Sequence, residues 1–338
     1  MENVLSNYFE RPEDVNVFPI NQGYINSTYK LSLGYNNYIL QKINTSIFLQ
    51  PEIIVSNMLT VANHLKSKNY TKAILDVIPN KNGNYLTFLN GETWRMTSFV
   101  PNSVCYDKVL SKEQAFAAAS AISEFHNVLN DLSINRISES IPGFLDYKKR
   151  VSDYKLALIN GNKNRIERAQ NEINFIQDHI FLIDKYLEIE FPKRVVHADA
   201  KISNFLFDSE NETKVAGLID WDTILPGNIL CDFGDMIRTY SNLKSEDDPD
   251  PINNFSLENY QAVKDGFISN LKDILTEEEL KSIDLTAFVV ILIQAIRFLT
   301  DFISDDVYYH TSKENQNLDR TLNQINLLKS INQHICIN

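Results

Sequence analysis

The stretch that decides the fold is VVHADAKISNFLFD at residues 195–208, followed by AGLIDWDT at residues 216–223. It places His197, Asp199, Asn204 and Asp220 in a distinctive order and spacing. Phosphoryl transfer of the kinase type needs an Asp that takes the hydroxyl proton and an Asn five residues later that holds metal. It also needs a second Asp, on the next strand, that holds metal between the nucleotide phosphates. The pattern H-x-D-x-x-x-x-N, followed by an apolar run, a polar turn and I-D-x-D, therefore predicts a phosphoryl-transfer enzyme.

Composition narrows the class of protein. The 338 residues suit one large domain or two lobes, and the formal net charge is −12. An acidic chain repels phosphate groups, so we expect no nucleic-acid or membrane partner. The sequence gives no sign of an obligatory protein partner. The three cysteines are too scattered for a zinc site or a disulfide framework, and the acidic N-terminus has no secretory h-region. A cytoplasmic location is the expectation.

The order of predicted elements is that of an α+β, bilobal protein kinase-like fold. Residues 1–100 read as strands and turns, and we expect them to form a nucleotide-binding lobe. Residues 101–338 are mainly helical and would form the catalytic and substrate-binding lobe. Their helical patterns include an Ala-rich helix with a capping box at Ser111 and Gln114, and one long helix at 165–189. The apolar segment 285–300 falls short of the roughly 20 residues that span a bilayer, so it predicts a buried helix.

The catalytic roles follow from the chemistry of the motif. Asp199 is predicted to be the base, or the group that orients the acceptor hydroxyl, and Asn204 and Asp220 offer hard oxygen ligands that suit Mg²⁺. His197 is expected to support the loop, through a hydrogen bond to the backbone or to Asp220, rather than to transfer protons. Lys201 either contacts the γ-phosphate or the Asp199 carboxylate, or is a surface lysine.

Two N-terminal segments are candidates for holding ATP. The turn NQGYINSTY at 21–29 carries Asn26, Ser27 and Thr28, which are predicted to donate hydrogen bonds to phosphates. The third strand, YILQKI, supplies Lys42 for the α- and β-phosphates, although a one-residue change of register would turn Gln41 inward instead. Glu52, on the following helix, is the candidate acidic partner of this lysine.

The end of TWRMTSFVPN lies where the two lobes should join. The backbone groups of Ser98, Phe99 and Val100 are therefore predicted to bind the adenine edge. An ordinary core strand is the alternative.

Four side chains are candidates for the acceptor site. Asp222 faces the same way as Asp220 and is either a further metal or substrate carboxylate or the cap of the next turn. Arg238 is expected to pair with Asp235 beside the acceptor. Arg297 and Asp301, at positions i and i+4 of the apolar helix, either hold a sugar or pair with each other. The D-F-G triplet at 232–234 is not expected to bind metal.

The chain resembles the aminoglycoside phosphotransferase and choline kinase-like superfamily, and within it the bacterial N-acetylhexosamine 1-kinases. The resemblance runs over roughly residues 20–330, through INSTY, YILQKIN, IPGF, RVVHADAKISNFLFD, IDWDTILPG, DFGDMIR, RFLTDFISDDVYY and QNLDRTLNQINLL. It implies ATP- and Mg²⁺-dependent phosphorylation of the anomeric hydroxyl of N-acetylglucosamine (GlcNAc) or N-acetylgalactosamine (GalNAc).

The catalytic loop departs from the family pattern, which is closer to H-N-D-T-K-L-N-N. Ala198, Ala200 and Ser203 stand where that pattern has polar residues. A kinase for an aminoglycoside, choline or homoserine therefore remains an alternative, as does a pseudokinase that binds nucleotide without turnover. The acidic residues around Asp222, Asp232, Asp235 and 246–250 favour the aminoglycoside alternative.

Overall fold

The chain has a sheet-rich N-terminal part and a helical C-terminal part, which confirms the predicted protein kinase-like fold. The computed structural model describes residues 1–20 and 25–336. The first half of the predicted phosphate-covering turn, NQGY at 21–24, lies outside the described residues. The division into lobes at residue 100 stays a prediction.

Strands and helices occur mainly in separate parts of the chain: most strands precede residue 105 and most helices follow it. The described strands are β1 (Asn16–Ile20), β2 (Ser27–Leu33), β3 (Asn36–Ile43), β4 (Val77–Ile78), β5 (Thr87–Leu89), β6 (Glu92–Ser98), β7 (Ser103–Val104), β8 (Arg194–Val196), β9 (Phe205–Asp208), β10 (Asn211–Leu218) and β11 (Leu225–Gly227). The described helices are α1 (Glu2–Leu5), α2 (Pro51–Ser67), α3 (Lys112–Leu129), α4 (Tyr147–Asn160), α5 (Lys163–Arg168), α6 (Gln170–His179), α7 (Phe181–Leu187), α8 (Leu230–Tyr240), α9 (Leu257–Ser269), α10 (Glu277–Lys281), α11 (Ile283–Ile303) and α12 (Gln316–Asn332).

The N-terminal sheet is antiparallel, with strand order β1-β2-β3-β6-β4 and β5 paired to β6. Its two faces are packed differently. Leu40 joins a small core with Leu31 and Trp94 that also includes α1, whereas Ile43 joins the main core with α2. Because side chains alternate along β3, Lys42 shares the face of Leu40, and Gln41 shares the opposite face with Ile43.

The main core lies in the helical part and surrounds α11. This helix is long and apolar enough to cross a membrane by length and composition, but 72% of its most apolar window is buried inside the protein. The prediction of a buried helix at 285–300 is confirmed. On α8, Gly234 approaches α11 so closely that an added Cβ would lie 2.6 Å from a methyl carbon of Val290. This close packing fixes α8 beside the strands that carry the motif.

Two local predictions need correction. The expected long helix at 165–189 is three helices, α5, α6 and α7, separated at Ala169 and Ile180. All three pack against α11, so the chain bends to follow that helix.

The capping box is only half formed: Ser111 Oγ accepts from the Gln114 amide, but Gln114 Oε1 accepts from the amide of Leu110 instead of Ser111.

The motif strands connect the two parts of the chain. β9 pairs with β10 on one side and with β7 on the other, and Gly217 in β10 bridges to Ala73. The segments that carry His197, Asp199 and Asn204 therefore lie where the N-terminal sheet meets the helices.

Candidate active site

The loop after β8 is held by one buried carboxylate. Asp232, in the first turn of α8, accepts hydrogen bonds from the amides of His197 (2.9 Å) and Ala198 (2.7 Å). Ala198 has a φ of +62°, a left-handed conformation that is uncommon for a residue with a Cβ. Two charge-assisted hydrogen bonds offset that strain and fix the direction in which the chain enters Asp199.

Asp232 is a site residue whose structural role was not predicted from the sequence, where the D-F-G triplet was only expected not to bind metal. The residue is fully buried, and His126 Nε2 lies 3.0 Å from its Oδ2. One signal in the sequence was available: Asp232 lies within the largely apolar run ILCDFGDMI. A carboxylate in such a run is expected to be buried, and a buried carboxylate needs hydrogen-bond donors.

His197 supports the loop through the backbone. Its Nε2 lies 2.9 Å from the carbonyl oxygen of Ile219, the residue before Asp220. Its own carbonyl accepts a hydrogen bond from Thr223 Oγ1. His197 thus connects the Asp199 loop to the Asp220 turn, and of its two expected partners the backbone is the one observed.

Asp199 lies at the centre of a polar cluster. Its Oδ2 accepts from Lys201 Nζ (2.7 Å) and Asn204 Nδ2 (2.9 Å), and Asn204 Nδ2 also donates to the Asp199 carbonyl (2.8 Å). Burial alone would raise the pKa of Asp199, but the charge and hydrogen bond of Lys201 lower it overall. Asp199 is therefore ionised at neutral pH and able to accept a hydrogen bond from a hydroxyl group. Of the alternatives for Lys201, contact with the Asp199 carboxylate is the one observed.

Asp220 has the opposite electrostatic environment. It lies in a left-handed turn with φ +61°, and within the described ranges its carboxylate makes no side-chain hydrogen bond. Burial, followed by the negative charges of Asp222 and Asp199, raises the pKa of Asp220 to about 6. The Asp220 carboxylate and the Oδ1 of Asn204, whose Nδ2 is already used, are together a donor set that fits a hard divalent cation such as Mg²⁺.

Asp222 connects the two parts of the chain instead of lying free in the site. Its Oδ1 lies 2.5 Å from Arg95 Nη2, with both side chains 2% exposed, and its Oδ2 accepts from Asn26 Nδ2 at 2.8 Å. Asn26 in turn accepts a hydrogen bond from the amide of Asn44. The buried pair holds the IDWD turn against β6, so Asp222 is neither a simple cap nor a free substrate carboxylate.

The preference for Lys42 on the inner face was wrong. Lys42 is paired with Glu92 at 3.1 Å on the outer face of the sheet. Gln41 faces inward and accepts from Arg95 Nε (3.1 Å) and Nη2 (2.8 Å). Arg95 is therefore a cation on the inner face, and its acidic partner is Asp222, not the exposed Glu52. Lys30, which pairs with Ile39, lies on the same face.

The remaining nucleotide-side residues are only partly available. Thr28 shares the inner face with Gln41, which donates to it at 3.3 Å, whereas Ser27 is exposed opposite Lys42. The Ser98 amide is used by the Asp76 carbonyl, and the Val100 carbonyl accepts from Ser103 Oγ. Phe99 lies under Lys30, whose Nζ is 4.6 Å from the ring centroid. Of the three predicted positions, Phe99 and the Val100 amide retain backbone groups for an adenine edge.

The expected pair of Asp235 and Arg238 is present beside Asp199. Arg238 Nε donates to Asp235 Oδ1 at 2.9 Å, and Nη1 donates to Glu246 at 2.7 Å. Burial outweighs the attraction of Arg238 and raises the pKa of Asp235, with the negative charge of Asp199 adding to the rise. Asp235 Oδ2 is buried with no partner among the described residues. This oxygen is therefore available to a ligand that lies next to Asp199.

Arg297 and Asp301 do not pair with each other. Asp301 accepts from the amides of Tyr308 (2.8 Å) and Tyr309 (2.9 Å) and is 4% exposed, so its prediction as a sugar ligand conflicts with the structure. Arg297 lies between the rings of Phe144 and Tyr309, with its Cζ 5.6 Å from each centroid. Its only side-chain hydrogen bond within the described chain is to Gln294 Oε1, at 3.0 Å.

Comparison with known proteins places this arrangement in a family. The APH model, described as the phosphotransferase enzyme family, matches residues 17–263, well over half of the chain. The chain belongs to this family. It is a small-molecule kinase, a phosphotransferase with an alcohol group as acceptor.

Solved structures of kinases share the fold at low identity. A microcompartment-associated aminopropanol kinase aligns with a TM-score of 0.68 and 15% identity, covering 97% of this chain and 94% of its own. An aminoglycoside phosphotransferase from Alicyclobacillus acidocaldarius aligns at 0.66 and 13%, covering 98% and 95%. Choline kinase from Cryptosporidium parvum aligns at 0.56 and 13%, covering 98% and 95%. At these identities the likeness concerns the fold, and the acceptor has to be inferred from the site of this phosphotransferase.

Asp232→Asn is expected to lower kcat by about 10- to 100-fold with little change in the KM for ATP. An amide cannot accept from both loop amides through two oxygens, and a small displacement of the base has effects of this size. Steady-state kinetics and thermal unfolding of the variant check this. Asp208→Asn, at an exposed pair with Lys214, is the matched control. A variant with normal kcat would remove Asp232 from the positioning of Asp199.

Lys42→Gln is expected to leave kcat/KM for ATP within about twofold, because Lys42 lies on the outer face. Arg95→Lys is expected to lower it about tenfold or more, because a lysine cannot bind Gln41 and Asp222 together and a charged hydrogen bond is lost. ATP kinetics on both variants, with unfolding curves, provide the measurement. The reverse ranking would restore Lys42 as the phosphate contact.

Proposed function

We propose that this protein is an ATP- and Mg²⁺-dependent kinase that phosphorylates the anomeric hydroxyl of an N-acetylhexosamine, GlcNAc or GalNAc. Asp199 accepts the hydrogen bond of that hydroxyl and orients its oxygen toward the γ-phosphorus. The bond from the acceptor oxygen to phosphorus forms while the bond between phosphorus and the β,γ-bridging oxygen breaks. The hydroxyl proton passes to Asp199, and ADP leaves.

The other loop residues hold the reacting groups in place. Asn204 Oδ1 and Asp220 hold Mg²⁺, which when bound neutralises phosphate charge. Lys201 keeps Asp199 ionised and lies close to the transferred phosphoryl group. Thr28 and the Asn26 turn cover the phosphates, and Phe99 and the Val100 amide meet the adenine edge.

The observation that carries the acceptor assignment is the charge of the acceptor side. Arg297, which the sequence predicts to lie at the acceptor site, is between two aromatic rings, and it forms no ion pair among the described residues. An acceptor with an ammonium group needs carboxylates or an aromatic box without a resident cation. A polyhydroxyl ring with a neutral acetamido group instead offers acceptor oxygens to a guanidinium and an apolar face to Tyr309.

Most of the acidic residues that favoured an aminoglycoside have ion-pair or hydrogen-bond partners within the protein. They occur as pairs or as amide acceptors: Asp222 with Arg95, Asp232 with the loop amides, Asp235 and Glu246 with Arg238, Asp247 with Arg320, and Asp250 with Lys244. Apart from Asp235 Oδ2, these carboxylates are already engaged and are less available to the ammonium groups of a polycation. The resemblance of INSTY, IPGF and RFLTDFISDDVYY to N-acetylhexosamine 1-kinases supports the acetylated sugar among the neutral acceptors.

An acceptor panel tests this proposal. ADP release with Mg-ATP is measured against GlcNAc, GalNAc, glucosamine, glucose, ethanolamine, choline, homoserine and kanamycin. The expected result is turnover with the N-acetylhexosamines and at least about a tenfold lower kcat/KM with glucosamine, because its ammonium group faces Arg297. Phosphate on C1 is confirmed by NMR. Preferred turnover of an amine acceptor would refute the sugar assignment and keep the kinase.

Asp220→Asn is expected to stabilise the metal-free protein at pH 7 by roughly 1–2 kcal/mol, after allowance for partial exposure. The folded-state pKa of Asp220, about 6, lies above its unfolded value of 3.8. The native state therefore holds the extra proton, and stability is lost as the pH rises through 4 to 6. The gain of the variant should shrink toward pH 4.

Denaturant unfolding between pH 4 and 7, without metal and with Mg-ADP, measures this effect. Mg-ADP should stabilise the wild type and not the variant, which reverses their order. Equal stabilisation of both proteins by Mg-ADP would show that Asp220 does not bind the metal.

A further inference from the structure

A small cavity of about 180 Å³ lies between α4, α11 and the loop after α11. It is lined by Arg150, Asp153, Arg297, Tyr308 and Tyr309, with Val307 at its exposed rim. Asp301 also lines the cavity, and of all these residues the sequence predicts a role only for Arg297 and Asp301. The cavity therefore adds a second arginine, Arg150 on α4, to the acceptor side of the protein.

The two guanidinium groups lack the partners that such groups usually have. In the part of the chain that the structure describes, neither Arg150 nor Arg297 forms an ion pair. The Arg150 side chain makes no hydrogen bond, and its Nε is buried without a partner. Arg297 uses one of its five N–H groups, on Gln294. Buried polar groups in folded proteins are nearly always hydrogen-bonded, so the buried Nε of Arg150 and the open N–H groups around it can take an acceptor from a ligand.

The carboxylates next to the cavity do not supply that acceptor. Asp153 is bound to Lys149 Nζ at 2.7 Å, one turn away on α4. Asp301 is used by the amides of Tyr308 and Tyr309. Burial and the positive charge of Arg297 lower the pKa of Arg150 overall, although the negative charge of Asp153 opposes them.

The cavity is joined to the reacting centre by one short segment of chain. Ser140 Oγ donates to the carbonyl oxygen of Asp222, and Phe144, four residues further on, packs over Arg297. Asp235 is within electrostatic reach of Asp199. An acceptor held beside Asp199 can therefore extend its remote end toward the two arginines.

We propose that this cavity binds an anionic group, a carboxylate or a phosphate, carried by the acceptor at the end remote from the phosphorylated hydroxyl. Arg150 and Arg297 supply the charge-assisted hydrogen bonds, and the Tyr309 ring packs against the body of the ligand. The inference rests on the proposed function and narrows it: the preferred acceptor is an N-acetylhexosamine that also bears an acidic substituent.

Three probes separate the possible anions from a neutral sugar: GlcNAc, N-acetylmuramic acid with its carboxylate, and GlcNAc 6-phosphate. Each is measured with the wild type, Arg150→Gln, Arg150→Lys and the control Lys155→Gln, which removes an exposed charge from the same helix. The readouts are kcat/KM with Mg-ATP and, independently of turnover, calorimetric affinity without ATP. Thermal unfolding confirms that each variant is folded.

The wild type is expected to prefer one anionic sugar over GlcNAc by about tenfold or more, as for a hydrogen bond to a charged group. Arg150→Gln should reduce that ratio toward one, Arg150→Lys should keep part of it, and Lys155→Gln should leave it unchanged. If N-acetylmuramic acid is preferred, the anionic group that the cavity binds is a carboxylate. If GlcNAc 6-phosphate is preferred, it is a phosphate.

Two results overturn the inference: no anionic preference in the wild type by either readout, or a preference that survives Arg150→Gln. Turnover of GlcNAc without such a preference removes the inference and leaves the proposed function. Calorimetric preference that depends on Arg150, with no turnover of any sugar, supports the anionic cavity and removes the proposed function instead.

Discussion

The candidate active site depends on the carboxylate of Asp232, which accepts the amides of His197 and Ala198 from inside the helical core. These two bonds stabilise a left-handed residue immediately before Asp199. The helix that supplies them is itself fixed by close packing of Gly234 against Val290 on α11. The loop that carries Asp199 is thus held by α8, and α8 is held by its packing against the buried helix α11.

Charge is distributed asymmetrically around that anchor. Lys201 and Asn204 bind Asp199 directly, whereas Asp220 makes no side-chain hydrogen bond within the described residues and has a raised pKa. The proposed base is therefore ready to accept a hydroxyl proton, and the proposed metal ligand retains unmet negative charge. On the acceptor side the imbalance is reversed, because Arg150 and Arg297 retain unmet positive charge. Each unmet charge marks a place where the protein would gain stability from a ligand.

The sequence predicted the parts of the site that depend on covalent spacing. His197, Asp199, Asn204 and Asp220 lie within one loop and the next strand, so their order alone brings them together. Contacts between distant segments were not predictable in the same way. The face of Lys42 depends on the register of β3 against β6, and Asp232, Arg95 and Arg150 acquire their roles only through tertiary packing. The pairing of Arg297 with Asp301 failed because backbone amides after α11 are stronger competitors for that carboxylate.

The central claim is that Asp199 orients the acceptor hydroxyl and takes its proton. The most direct test is Asp199→Asn, which preserves the shape of the side chain and removes its basicity. We predict a fall in kcat of about 10²- to 10⁴-fold, the usual contribution of a general base, with Mg-ADP binding and the unfolding temperature close to those of the wild type. A folded variant that retains a wild-type rate would contradict the account.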